Sequence, residues 1–113
     1  MTTPLAHLTE QLRRTAIFLR QAPIARLERP EAREAIRALI AEVHALTLAA
    51  SVGADSPPRG SVPHDLRPTA WGDQLDVMTI ELLTAAQAYV GTDAFDEQAD
   101  LLAQACLVVR RSV

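Results

Sequence analysis

The chain has 113 residues, of which 49% are hydrophobic, 22% charged and only 4% aromatic, and its 11 basic and 14 acidic residues give a formal net charge of −3. This apolar fraction excludes an intrinsically disordered chain, and the single cysteine excludes an internal disulfide framework or a cysteine-rich zinc module. The acidic balance disfavours nucleic acid as the main partner, because proteins that bind it usually carry a basic stripe.

The first predicted helix covers about residues 4–21. Thr3 is a suitable capping residue, and Pro4 then occupies the first helical position, where a backbone N–H is not needed. Glu10 and Arg14 stand four residues apart and are expected to pair on the helix surface. One face of this helix is apolar, because hydrophobic residues recur at intervals of three and four positions. They are Leu5, Leu8, Leu12, Ala16 and Leu19.

The second predicted helix covers about residues 30–52, and the segment after it is irregular. The helix opens at Pro30, and Gly53 is a natural C-terminal stop. Prolines interrupt residues 53–68 and forbid regular structure there, and the connection is longer than most loops in a compact domain. We interpret it either as a crossover linker between two helical pairs or as a lid or partner-binding loop.

Two further helices are predicted over about residues 69–90 and 93–111, with Gly91 between them. Each has one apolar face at helical spacing, and no segment shows the alternation typical of a strand. The chain is therefore predicted to be all-α, with a single domain over residues 1–113. The expected architecture is a four-helix bundle of two helical hairpins joined by the long proline-rich crossover.

Apolar residues also lie outside these core-facing stripes. At 100° per residue, Ile80 falls opposite the core face of its helix, with Val77 beside it. Leu101 and Val108 share a second sector of the last helix. Large exposed apolar patches are uncommon on soluble monomers, so the surplus favours a homodimer over a monomer whose third helix is buried all round. The predicted interface residues are Val77, Ile80, Leu101 and Val108.

A candidate ligand pocket lies where the irregular segment meets the third helix. His64 and Asp65 precede Trp71, the only tryptophan. Asp73 and Asp76 follow three residues apart, and paired carboxylates of this kind can hold a divalent cation or divide acid and base roles. The plainer interpretation is that these acids cap the start of the helix and favour its positive end. The alternative function that the pattern suggests is a small-molecule or metal-binding bundle.

The sequence shows no catalytic constellation. Its three histidines form no metal-ligand pair, its glycines do not cluster into a phosphate-binding loop, and no serine lies in a nucleophile motif. Cys106 falls on the core face of its helix, where a thiol usually behaves as a small hydrophobic group. We therefore expect no catalytic residue, no cofactor and no metal ligand.

The favoured function is protein–protein interaction, through self-association or a regulatory partner, and not enzymatic catalysis. No uncharged run approaches the roughly 20 residues that span a bilayer, so a membrane partner is not expected. Early charges such as Glu10 and Arg13 argue against a secretory leader, and a lone cysteine fits a reducing cytoplasm. Arginine without lysine, together with abundant alanine, is typical of the codon usage of a GC-rich bacterial genome.

Overall fold

The protein is described by a computed structural model that covers residues 3–51, 67–86 and 93–112. Within these ranges every regular element is helical and no strand is present, which confirms the predicted all-α class. In chain order the elements are α1 (Pro4–Gln21), α2 (Ile24–Leu27), α3 (Pro30–Ser51), a 3-10 turn (Pro68–Ala70), α4 (Trp71–Ala86) and α5 (Asp93–Ser112).

Helix α1 begins as its sequence predicts. The Thr3 hydroxyl accepts a hydrogen bond from the Ala6 N–H at 3.1 Å, which satisfies one of the backbone donors left free at a helix start. The predicted surface pair also forms, with Arg14 Nε 3.0 Å from Glu10 Oε1. Because both side chains are exposed, this i,i+4 ion pair adds only about 0.3–0.5 kcal/mol to the free energy of unfolding.

The other predicted helix boundaries fall only partly within the described residues. The short helix α2 was not predicted, because a helix of four residues is too brief to show periodicity, yet its Leu27 is buried in the core. The third predicted helix starts as the 3-10 turn at Pro68 and becomes α-helical at Trp71. Most of the predicted irregular segment 53–68, and residues 87–90 of the third predicted helix, lie outside the described residues.

The long helices pack in a different pairing from the one expected of two hairpins. A helical hairpin ordinarily packs its two helices against each other. Here α1 and α3 each pack mainly against α4 and α5, so the two helices of each expected hairpin, α1 with α3 and α4 with α5, are not the principal packing partners. The apolar face of each helix is wide enough to contact two neighbours, and this arrangement buries all four faces at once.

The core between these helices is almost entirely aliphatic, with one tryptophan and one phenylalanine. Three threonines are also buried, and each donates its hydroxyl hydrogen to the carbonyl oxygen four residues earlier in its helix. They are Thr15, Thr47 and Thr79. Because their polar atoms are satisfied within the helix, these residues pack like small hydrophobic side chains.

Replacing a fully buried leucine tests this core. We expect Leu12→Ala, at a side chain with no solvent exposure, to lower the free energy of unfolding by about 2–5 kcal/mol through lost burial and the cavity left behind. Urea denaturation followed by circular dichroism measures this change. Leu48→Ala is the matched control, because Leu48 is 45% exposed, and a loss as large as that of Leu12→Ala would contradict the described core.

Candidate functional site

The four apolar residues predicted to lie outside the core are all on the surface of this chain. Helix α4 is therefore not buried all round, contrary to the monomer alternative, in which its outer residues pack internally. The exposed fractions are 51% for Val77, 64% for Ile80, 58% for Leu101 and 59% for Val108.

These four residues divide between two surfaces. Val77 and Ile80 lie on α4, and Leu101 and Val108 lie on α5. The two helices share the neighbours α1 and α3 and turn their exposed faces away from them. A flat contact with one second copy therefore involves one pair or the other.

The α5 pair borders a shallow groove of about 590 Å³ between α5 and α3. Its floor on the α3 side carries the small residues Ala45 and Ala49, and Ala105 lies between Leu101 and Val108 on α5. Alanines allow another helix to approach closely, while the larger side chains on either side give it apolar contacts. Val77 and Ile80 do not line this groove.

The predicted ligand pocket lies only partly within the described residues. His64 and Asp65 lie outside them. Trp71 belongs to the hydrophobic core and is only 3% exposed, so it is not available to line a surface pocket. Asp73 is exposed and Asp76 half-buried, and both accept hydrogen bonds from Arg20 of α1.

The pairing with Arg20 is the main electrostatic contact between α1 and α4. Arg20 Nε and Nη2 lie 3.0 and 2.8 Å from Asp73 Oδ1, and Nη2 also donates to Asp76 Oδ2. Hydrogen bonding, first to Asp73 and then to Asp76, raises the pKa of the Arg20 guanidinium above its ordinary value. Sequence analysis missed this contact, because Arg20 and Asp73 are 53 positions apart and no local pattern links them. Asp73 and Asp76 thus already neutralise a cation of the protein itself.

Gly72 allows α1 and α4 to approach closely at this point. A Cβ atom added there would lie 2.7 Å from Arg20 Cγ and 2.8 Å from the Ala16 carbonyl oxygen. The second of these atoms belongs to the backbone of α1 and does not move easily. The absence of a side chain at Gly72 therefore sets the distance between the helices and lets Arg20 reach both acids.

Cys106 lies in the core beside Thr15 of α1, as its position on the apolar face predicts. Burial is the main cause that raises the pKa of the Cys106 thiol to about 11, and hydrogen bonding to Thr15 opposes this only in part. Nucleophilic chemistry requires the thiolate. This cysteine is thus a packing residue, held in its neutral form.

Metal-binding clusters and membrane-spanning helices are both absent from the described residues. No cluster of three or more histidine, cysteine, aspartate or glutamate side chains there is arranged to hold a metal ion. Among the same residues, no helix combines the length and apolar character that crossing a bilayer requires.

Comparisons with known proteins give no functional information about this chain. No family model matches this chain, and comparisons with curated proteins and with solved structures give no significant match. The exposed apolar pair on α5 and the adjoining groove are the surface features that suggest a function.

Gly72→Ala tests the close approach of α1 and α4. The added methyl group meets the Ala16 carbonyl oxygen, so we expect a loss of about 1–3 kcal/mol in unfolding free energy, where helix propensity alone predicts a gain. Chemical denaturation measures it. Ala85→Gly, at a half-buried position of the same helix, is the control for propensity. A variant more stable than the wild type would show that the helices are not in contact at Gly72.

The pH dependence of stability tests the burial of Cys106. In the unfolded chain this thiol ionises near its ordinary pKa of 9.0, whereas in the folded chain its pKa is about 11. The stabilisation is thus complete below pH 9 and is lost as the pH rises towards 11, by about 2–3 kcal/mol in all. Denaturation at several pH values should show this fall in the wild type and a smaller one in Cys106→Ala. Equal slopes in the two proteins would contradict the described environment.

Proposed function

We propose that this protein is a non-enzymatic interaction protein that binds a second copy of itself through the outer face of α5 and the adjoining α3 groove. The observation that carries the proposal is the exposure of Leu101 and Val108, each more than half accessible, on the border of an apolar groove. Surfaces of this kind are typical of protein–protein contacts. Two-fold homodimers are the most frequent assembly of soluble proteins, so a second copy is the partner we propose first.

The shape of the groove supports a helical partner. Ala45 and Ala49 of α3 leave room for side chains of an incoming helix, and Leu101 and Val108 stand above them as apolar ridges. Interdigitation of such ridges with a groove is how helices pack in proteins. A second copy presents the same ridges and the same groove, which gives a self-complementary contact.

The proposal extends to architecture and location. We propose that the four long helices act as a four-helix bundle, with the proline-rich segment as a crossover that leaves the α3–α5 surface accessible. We place the protein in the cytoplasm, where the free thiol of Cys106 remains reduced. A regulatory partner protein is the other candidate for the same surface.

Val77 and Ile80 on α4 belong to a second apolar surface. They are as exposed as the α5 pair, but they do not line the groove between α3 and α5. An isolated exposed hydrophobic residue is common on a protein surface and provides less contact area than a ridge beside a groove. We therefore assign the principal contact to α5.

Sedimentation equilibrium tests the proposal. We expect the wild type to dimerise at concentrations up to about 300 µM, and Leu101→Asp/Val108→Asp to weaken the dimer at least about tenfold, because two charges per copy lose their hydration at the contact. Ile17→Asp is the matched control, because Ile17 is 43% exposed on α1 and outside the proposed contact.

Two results would overturn the proposed function. A wild type that remains monomeric throughout that range would remove self-association. A dimer that Leu101→Asp/Val108→Asp leaves intact, but that Val77→Asp/Ile80→Asp dissociates, would move the contact from α5 to α4. Circular dichroism of each variant confirms that its helices are retained.

A further inference from the structure

The outer face of α5 has a symmetric pattern about its centre. Exposed residues follow one another at spacings of four, three, four and three positions, which keeps them within one narrow sector of the helix. Gln104 is at the centre, and Glu97 and Arg111 lie seven positions before and after it. Between them are Leu101, three positions before the centre, and Val108, four positions after it.

The charges at the two ends of this face are opposite. The N-terminal half carries Asp93, Glu97 and Asp100, all exposed. The C-terminal end carries exposed Arg111. No ion pair within the described residues involves Glu97 or Arg111. Each charge is therefore available to a partner that approaches along α5.

Resting on the self-association proposed above, we infer that α5 packs antiparallel against α5 of the second copy, across a two-fold axis near Gln104. In this arrangement Glu97 of each copy faces Arg111 of the partner subunit, and the two pairs are equivalent by symmetry. A parallel arrangement would bring the two Glu97 side chains together and the two Arg111 side chains together, and like charges repel. The charge pattern thus selects the antiparallel direction.

The apolar residues fit the same register. With the axis near Gln104, Leu101 of one copy lies beside Val108 of the partner subunit, because the two residues are almost equally far from the centre. Each helix then places these ridges over the alanines that line the α3 groove of the other copy. At the axis, the two Gln104 amides meet and can hydrogen-bond to each other, since an amide is both donor and acceptor. A central polar pair of this kind favours one register over a slipped one.

Charge reversal tests the register. We expect Glu97→Arg and Arg111→Glu each to raise the dimer dissociation constant roughly tenfold, because each places like charges together at two symmetric positions. The double variant Glu97→Arg/Arg111→Glu restores opposite charges and should return to within about threefold of the wild type. Glu31→Arg and Arg13→Glu, at exposed positions on α3 and α1, are matched controls that should leave dimerisation nearly unchanged.

Disulfide trapping supplies an independent readout. Oxidation of Gln104→Cys should link two copies, because the two positions 104 of the dimer lie together at the axis. Thr84→Cys, on the outer face of α4, should remain unlinked. Native Cys106 is buried and serves as the internal background in both variants.

The outcomes separate this inference from the proposed function. A dimer that weakens on Leu101→Asp/Val108→Asp, but not on either charge reversal, and that does not link at position 104 keeps the α5 contact and overturns the antiparallel register. A wild type without dimers overturns both. Weakening by each single reversal, with recovery in the double variant and linkage at position 104, supports the register.

Discussion

The structure depends on the simultaneous burial of four apolar helix faces in one thin aliphatic core. Alanine and leucine supply most of the apolar residues, and aromatic residues are few. Small side chains allow helices to approach closely, so the core gains stability from contact density more than from large buried rings. The same requirement explains the glycine at the α1–α4 contact and the threonines whose hydroxyls bond back to their own helices.

A core of this kind uses only one face of each helix. The chain has more apolar residues than these faces hold, and the most exposed of the excess residues, Ile80, Val108 and Leu101, lie on the outer faces of α4 and α5. On α5 the excess adjoins a groove and is flanked by charges of opposite sign. On α4, Val77 and Ile80 do not line that groove, and the charged residues of the helix are all acidic. This difference is what makes α5 the better candidate for a contact with a second copy.

Asp73 and Asp76 have a different role in the structure from the one that their spacing in the sequence suggests. Two carboxylates three positions apart are a reasonable start for a metal site or an acid–base pair. Once Arg20 of α1 donates to both, one of their two negative charges is balanced inside the protein, and they connect the two helices. Because exposed ion pairs add little stability, this contact orients α1 and α4 relative to each other more than it stabilises the fold.

Helix positions follow from local spacing, which is why they were predictable. The cap at Thr3, the Glu10–Arg14 pair and the core position of Cys106 depend on neighbours within a few residues, and all three agree with the structure. The exposure of Ile80 and Val108 follows from the same helical periodicity. The four-residue helix α2 could not be predicted in this way, because one helical turn is too short to show a periodic pattern.

Amino-acid order therefore established the helices, their buried faces and the excess of apolar surface, since periodicity, capping and proline act over short distances along the chain. Which helices are neighbours was settled only in three dimensions, and so were the binding of Arg20 to two distant acids and the alanine groove beside α5. These features join residues tens of positions apart, and their geometry depends on how whole helices fit together rather than on any pattern within one of them.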